Sequence, residues 1–361
     1  MMLTIIILSL LFYVTVVVYC QQYQEQLIDT QAFYIIFDDQ INNSTFPDTV
    51  CQNNGGGDQG NQCVGPMNKV YKNGAIITQP MNITVEHINR LHKSIPGSIV
   101  LAYWCFDCIP IYTADECSTG HIMGDKPGRN CSTTYQCTDG HTPKFNKMVN
   151  DAFPKSWAQT NIVDNTIHCS YPGQAYYVPF KESADSLAAM LAEVVKSAHF
   201  DGVYLDGYVD PSNYKKPVMN STDKYDFNGD NEADTSEDVA AQYEKYAPYF
   251  VQQIRNLIGD DKYIIANSAG RNPDPHLNGV TLEMEACVDL QKCNDALAES
   301  QQVSKKPLLS VLWLTHSEAM SSEDQCNNVA ILQHQFPFVQ VGTDFFDGSH
   351  VVCNNTKLTT Y

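Results

Sequence analysis

The chain has 361 residues, with 41 Asp and Glu against 22 Lys and Arg, and a formal net charge of −19. Proteins bind nucleic acids and polyanionic glycans mainly through Lys and Arg, so this charge argues against both partners. The length suits one large domain or two ordinary ones.

The N-terminal segment has the pattern of a cleaved secretory leader. Residues 3–19 form an apolar run, and Cys20 with two polar Gln residues follows it. The run has only the minimum length of a membrane span, ~17–25 residues, so a signal peptide over residues 1–20 is favoured over a membrane anchor. We therefore expect a secreted monomer whose residues 21–361 form a single domain away from the membrane.

The cysteines and the glycosylation sequons support a secretory route. Cys20 lies in the predicted leader, which leaves 12 of the 13 cysteines, and an even number in an exported chain indicates disulfides. Close spacing suggests the pairs Cys51–Cys63, Cys287–Cys293 and Cys326–Cys353. Cys105 and Cys108 form a C-x-x-C, for which disulfides are favoured over zinc because no second such motif or His pair follows at zinc spacing. The sequons lie at Asn42, Asn43, Asn82, Asn130, Asn220 and Asn354.

Eight short apolar runs alternate with helical patterns. Continuous apolar runs of this length are typical of parallel strands that are buried on both faces. The predicted strands cover residues 32–37, 98–104, 175–178, 202–205, 262–266, 279–282, 307–314 and 338–341. The predicted helices cover residues 84–93, 144–152, 183–197, 237–258, 288–304 and 321–334, and the link 274–278 has room only for a helical turn.

This alternation predicts an α/β fold, the (β/α)8 TIM barrel. A doubly wound open sheet is the alternative, and the lack of a Gly-rich phosphate motif after the first strand disfavours it. Two long Cys-rich loops, residues 39–80 and 105–143, follow the first two predicted strands on the side where barrel active sites form. We therefore expect disulfide-stapled loops over the barrel mouth.

Two carboxylates end predicted strands in the same sequence context. G-V-Y-L-D at residues 202–206 and G-V-T-L-E at residues 279–283 are the fourth and sixth predicted strands. A residue at the carboxyl end of a barrel strand points into the mouth, so Asp206 and Glu283 can face each other there. A carboxylate pair hydrolyses glycosidic bonds, and we predict Asp206 as nucleophile and Glu283 as acid/base, with Glu285 competing for the second role. The alternative for Asp206 is a helix cap or a structural hydrogen bond at the barrel top.

Residues 157–206 resemble the (β/α)8-barrel glycosyl hydrolases and are similar to the endo-α-1,4-polygalactosaminidase-like enzymes. Those families carry F-D-G-V-x-L-D, an I-x-N strand and G-V-x-x-E, for which this chain has F-D-G-V-Y-L-D at 200–206, I-I-A-N at 264–267 and G-V-T-L-E at 279–283. The resemblance covers residues 150–290 and implies a retaining pair at Asp206 and Glu283. Family members often place an Asp in strand three, where this chain has V-P-F at residues 178–180.

Further polar and aromatic residues lie at or just past the predicted strand ends. Aromatic faces stack on sugar rings, and Asn, Asp and His side chains bind hydroxyl groups. For each residue, core packing or a loop hydrogen bond is the alternative. The predicted carbohydrate-binding residues are Asp38, Trp104, Tyr208, Asn267, Glu285, His316 and Asp344.

Residues 226–237 match the spacing of a calcium-binding loop. Such a loop wraps one Ca²⁺ with oxygen ligands at alternating positions and a Glu at the twelfth. Position six, normally Gly, is Asn231, and Asn is the next most tolerant residue there. An acidic solvated loop is the alternative. The predicted ligands of a structural Ca²⁺ are Asp226, Asn228, Asp230, Glu232, Asp234 and Glu237.

These features make a glycosidase with a carbohydrate substrate the leading hypothesis. A catalytically inactive barrel that binds glycans as a lectin is the main alternative, and loss of one carboxylate would favour it. Serine and zinc hydrolases are disfavoured, because the sequence contains neither G-x-S-x-G nor H-E-x-x-H.

If residues 226–237 bind calcium, a chelator should lower the melting temperature, because a bound ion stabilises the folded state by mass action. Asp230→Ala removes a predicted ligand and should abolish the difference between chelated and calcium-loaded protein. Thermal unfolding with and without chelator checks both. An unchanged melting temperature in the wild-type protein would remove the calcium assignment.

Overall fold

The structure is a computed structural model that describes a defined part of the chain. At several positions, including Gln31–Ile35 and Glu283, it describes the backbone alone. The predicted leader and most of both long loops lie outside the described residues. The described residues are 31–35, 50–52, 62–64, 75–78, 80, 83–94, 96–106, 108–110, 148–149, 151–152, 157, 160–161, 169–171, 174–208, 225–226, 232–267, 274–283, 289–314 and 321–343.

Eight parallel strands close into a barrel, as the alternation of strands and helices predicted. Each strand pairs with its neighbours in chain order, and the first strand pairs with both the second and the last. Closure leaves no sheet edge and brings all carboxyl ends to one rim. The strands are β1 Gln31–Ile35, β2 Ala75–Thr78, β3 Ile99–Cys105, β4 Gly202–Asp206, β5 Tyr263–Asn267, β6 Gly279–Glu283, β7 Ser310–Leu314 and β8 Val339–Thr343.

One predicted strand, residues 175–178, was wrong, and one strand of the barrel was missed. Residues 174–176 belong to a small antiparallel sheet with Cys108–Pro110 and Cys169–Tyr171, and not to the barrel. The missing barrel strand is β2, which lies inside the predicted loop 39–80. It is four residues long, all four are buried, and no predicted helix precedes it in that loop, so the alternation of strands and helices did not reveal it. The two errors cancel in the count, and Asp206 and Glu283 keep their positions on strands four and six.

Among the described residues, five long helices lie outside the barrel, and local capping contacts explain where several of them begin or end. The α3 helix begins at a capping box in which Thr235 and Asp238 exchange backbone and side-chain hydrogen bonds. The α2 helix ends at His199, which adopts the left-handed conformation with φ 62°. Residues 274–278 between β5 and β6 form a turn, as predicted. The helices are α1 Val85–Ser94, α2 Lys181–Ala198, α3 Ser236–Ile258, α4 Leu290–Val303 and α5 Ser322–Gln335.

Apolar side chains form an inner layer within the barrel and an outer layer beneath the helices. In β4, Tyr204 belongs to the inner cluster, while Val203 and Leu205 belong to the outer cluster with α2 and α3. Successive side chains of a strand point to opposite faces, and this alternation explains the two layers. In β6, Val280 and Leu282 pack outward against α4 and α5.

The sequence also predicted disulfides and a mature chain away from the membrane. Cys105, Cys293 and Cys326 are each disulfide-bonded, whereas the pairings and the stapling of the loops stay predictions. Among the described helices, none combines the length and the apolar character needed to cross a membrane.

The glycines that begin β4 and β6 have a packing role. A Cβ atom at Gly202 would overlap the backbone carbonyl of Tyr263, and one at Gly279 would overlap that of Leu309. The neighbouring strand backbone occupies the space that a side chain would need, so only Gly fits. The repeated G-V-x-L-acid pattern therefore contains a structural glycine and a candidate functional acid.

Replacing Gly202 with Ala should destabilise the barrel by about 3 kcal/mol or more, because backbone atoms must move to admit the methyl group. Gly259→Ala is the control: Gly259 has φ 87° and ψ 179°, where Ala costs about 1–3 kcal/mol of backbone strain, but its methyl group would meet only a side-chain oxygen of Asp261 and no backbone atom. Urea unfolding of both variants measures the difference. Equal loss of stability in the two would contradict the close approach of β4 and β5.

Candidate active site

The carboxyl rim of the barrel brings three predicted site residues onto adjacent strands. Asp206 ends β4, Asn267 ends β5 and Glu283 ends β6. The backbone register pairs Leu205 with Ala266 and Asn267 with Thr281, so the three strand ends form one continuous stretch of the rim. This is the face on which active sites of parallel barrels form.

The Asp206 carboxylate accepts hydrogen bonds from three donors on three parts of the rim. The Tyr103 hydroxyl of β3 donates to Oδ2 at 2.7 Å, and Asn267 Nδ2 of β5 donates to Oδ1 at 2.9 Å. The backbone N–H of Gly207 also donates to Oδ1, at 2.9 Å. The side chain is half-buried, and its carboxylate is held in one orientation by donors on both sides.

Local sequence explains how these donors reach Asp206. Gly207 has φ 69°, a conformation that glycine adopts without steric cost, and its N–H turns back onto the preceding carboxylate. Tyr103 is stacked on Tyr204, with ring centroids 5.9 Å apart and an interplanar angle of 19°. Stacking within the inner layer fixes the direction of the Tyr103 hydroxyl.

Tyr103 was missed in the sequence, where its neighbour Trp104 was chosen instead. Trp104 is 3% exposed and packs in the outer cluster beneath α2 and α3, so its indole is engaged in core packing, the alternative that the sequence left open. Leu101 and Tyr103 line the inner face of β3. Strict alternation along β3, counted from Leu101, would have pointed to Tyr103.

Tyr208 lies in the core beneath the strand end. It is 3% exposed, its ring makes an edge contact with Phe106 at 5.2 Å, and its hydroxyl interacts with the Asp274 carboxylate. Burial raises the pKa of the Tyr208 hydroxyl, and the negative charge of Asp274 raises it further. The burial of Tyr208 matches core packing, the alternative that the sequence left open for this residue.

The remaining predicted site residues lie wholly or partly outside the described residues. The backbone of Glu283 is placed opposite Trp313 of β7, while its side chain is outside them. The four other predicted carbohydrate-binding residues that lie outside are Asp38, Glu285, His316 and Asp344.

The predicted calcium loop is described in part. Asp226, Glu232, Asp234 and Glu237 are described, and Asn228 and Asp230 are outside. Glu237 lies in the first turn of α3, where the helix that leaves such a loop begins. Within the described ranges, no three acidic, His or Cys side chains cluster as metal ligands. Because two predicted ligands are outside those ranges, the calcium site stays a prediction.

Thr281 places a buried hydroxyl on the inner wall beside Asn267. The side chain has 0% exposure, and in the described part of the chain its Oγ1 has no hydrogen-bond partner. Its neighbours Val280 and Leu282 pack outward, so Thr281 belongs to the barrel-facing side of β6. An unpaired buried hydroxyl costs stability.

Thr281→Val should raise the free energy of unfolding by about 1 kcal/mol, because valine fills the same space without an unpaired hydroxyl. Ser310→Ala is the matched control: the Ser310 hydroxyl is also buried but accepts a 3.1 Å hydrogen bond from Val280 N, so its loss should cost about 1 kcal/mol. Urea unfolding measures both. A destabilised Thr281→Val protein would show that the hydroxyl has a partner.

Comparison with known proteins gives distant structural likenesses. No protein family and no curated protein matches the sequence. The glycoside hydrolase domain of PelA from Pseudomonas aeruginosa is 11% identical, with TM-score 0.43, over 89% of this chain and 97% of that domain. A cycloalternan-degrading enzyme from Trueperella pyogenes is 12% identical, with TM-score 0.44, over 94% of this chain and 42% of that enzyme. An alpha-amylase from Malbranchea cinnamomea is 8% identical, with TM-score 0.40, over 88% of this chain and 69% of the amylase.

Proposed function

We propose that the protein is a secreted glycoside hydrolase that cleaves O-glycosidic bonds with retention, with Asp206 as nucleophile and Glu283 as acid/base. One observation carries the proposal: at the catalytic rim of a parallel barrel, the Asp206 carboxylate is oriented by Tyr103, Asn267 and the Gly207 N–H. A side chain held by several donors is suited to attack at a fixed point.

The hydrogen bonds distinguish the two oxygens of Asp206. Oδ1 accepts two donors, from Asn267 and Gly207, which occupy both of its lone pairs. Oδ2 accepts only the Tyr103 hydroxyl among the described residues. Its second lone pair makes Oδ2 the oxygen that we expect to attack the anomeric carbon.

Glu283 is proposed as the partner because of its place on β6. Alternate residues of a strand share a face, so we expect the Glu283 side chain to face the inside of the barrel, as Thr281 does, one step nearer the rim. The β4 and β6 backbones are two strand spacings apart, about 9.5 Å. Asp and Glu side chains that lean over the mouth from such positions span the ~5–5.5 Å that retaining enzymes need.

In the proposed reaction, Asp206 Oδ2 forms a bond to the anomeric carbon while the glycosidic C–O bond breaks. The leaving oxygen takes the proton of Glu283, and the sugar is left as an ester on Asp206. Water then attacks the same carbon, gives a proton to Glu283 and releases the Asp206 carboxylate. The acidic surface favours a neutral or cationic glycan over a polyanion. Calcium in the loop 226–237, if bound, would have a structural role next to this site.

Asp206→Asn and Glu283→Gln should each lower kcat/KM by at least about 10³-fold, because each variant lacks a group that acts in the transition state. A panel of aryl glycosides and neutral polysaccharides is the assay, and the anomer formed first, observed by NMR, reports retention. Asp289→Asn is the matched control: Asp289 caps α4 through its side chain, and Asn caps equally well, so turnover should not change.

Turnover that survives in both variants would remove the hydrolase assignment. Glycan binding by wild-type protein without turnover would favour the lectin. A first product of inverted configuration would keep the carboxylate pair and change only the role of Asp206, from nucleophile to base.

A further inference from the structure

The connection between β5 and β6 is held in place by a buried arginine. Arg255 of α3 is 4% exposed, and its Nε and Nη2 donate to the backbone carbonyl of His276 at 3.1 and 2.7 Å. Nη2 also donates to Asn278 Oδ1 at 2.6 Å. Within this connection residues 274–278 form a turn, and Arg255 fixes that turn against α3.

The same turn presents a buried carboxylate, Asp274. It is 6% exposed, and its Oδ1 accepts hydrogen bonds from both the backbone N–H and the Nδ1 of His276, each at 2.8 Å. The Tyr208 hydroxyl interacts with the same carboxylate. Burying a carboxylate is costly unless donors surround it, so these contacts are what allow Asp274 to stay in the core.

Tyr208 connects this carboxylate to the candidate nucleophile. Only Gly207 separates it from Asp206, and Gly207 supplies one of the three donors to that side chain. The Tyr208 ring packs on Phe106, whose backbone N–H donates to the Asp206 carbonyl at 2.7 Å. Two contacts therefore anchor the chain as it leaves Asp206: Phe106 holds the ring of Tyr208, and Asp274 holds its hydroxyl.

We propose that Tyr208 and Asp274 are positioning residues that set the orientation of the Asp206 carboxylate, an inference that rests on the proposed glycosidase function. The buried Tyr208–Asp274 contact fixes the turn at Gly207, and the turn aims the Gly207 N–H at Oδ1. The clamp between Arg255 and His276 fixes Asp274 in turn. Tyr208 thus acts on catalysis from within the core and does not touch the sugar.

Loss of the Tyr208 hydroxyl should release the turn and let the carboxylate rotate. A misplaced nucleophile lowers the rate of the chemical step, and a shift of about 1 Å can cost up to about 100-fold. Substrate binding depends on the rest of the mouth and should be little affected. The signature is a fall in kcat with KM nearly unchanged.

The test compares Tyr208→Phe, Asp274→Asn and their double variant on the aryl glycoside that the wild-type protein cleaves fastest. Tyr243→Phe is the matched control. Tyr243 is also 3% exposed and packs edge-on to Phe106, but its hydroxyl donates to the Tyr177 carbonyl at 2.9 Å and makes no contact with Asp274 among those described. Melting temperatures are measured in parallel.

We expect Tyr208→Phe and Asp274→Asn each to lower kcat by about 10-fold or more with KM within about twofold of wild type. The double variant should lose little more than either single one, because the two residues act through one contact. Tyr243→Phe should lower the melting temperature as much as Tyr208→Phe does, with kcat retained.

Normal kcat in Tyr208→Phe, while Asp206→Asn is inactive, would overturn the positioning role and leave the proposed function intact. Equal loss of kcat in Tyr243→Phe would also overturn it, because destabilisation of the core would then explain both. If the wild-type protein cleaves none of the glycosides, the proposed function and this inference fall together.

Discussion

The 2.9 Å hydrogen bond from Asn267 Nδ2 to Asp206 Oδ1 joins the ends of two neighbouring barrel strands through their side chains. It can form only because the parallel register places both strand ends at one height on the rim. The close approach of β4 and β5 requires Gly202 at the start of β4, so a constraint at the amino end of the strand sets the geometry at its carboxyl end. The candidate chemistry thus depends on how closely the strands pack.

Two layers of packed side chains support the carboxyl rim of the barrel. The inner apolar layer stacks Tyr204 beneath Tyr103, and the outer layer carries Phe106 and Tyr208 beneath α3. Polar groups are buried in both layers, and most of them are paired, as expected in a close-packed interior. The Thr281 hydroxyl is an exception among the described residues, and it lies on the wall of the mouth.

Much of the barrel could be predicted from the sequence, since long apolar runs and helical periodicity report burial directly. The acids at the ends of β4 and β6 could be found for the same reason, because each follows such a run. The β2 strand was missed, because it follows a long Cys-rich loop without a helical pattern and so falls outside the alternation of strands and helices. Tyr103 was missed because the apolar run of β3, which includes Trp104, does not show which of its alternate residues face the inside of the barrel.

The site residues outside the barrel strands depend on contacts that no local pattern encodes. The contact between Tyr208 and Asp274 joins residues 66 positions apart in sequence, on turns that follow different strands. Composition predicts neither the burial of Asp274 nor the role of Arg255, whose partners are mainly backbone carbonyls. Disulfide pairing is of the same kind, because spacing limits the choices without selecting one.

The adjacency of Tyr103 and Trp104 on opposite faces of β3 has an evolutionary consequence. A deletion or insertion of a single residue in this strand would exchange the two aromatic rings, turning the indole toward Asp206 and burying the phenol hydroxyl beneath the helices. In related chains, insertions and deletions should therefore be found in the connections between strands, and β3 should change only by substitution.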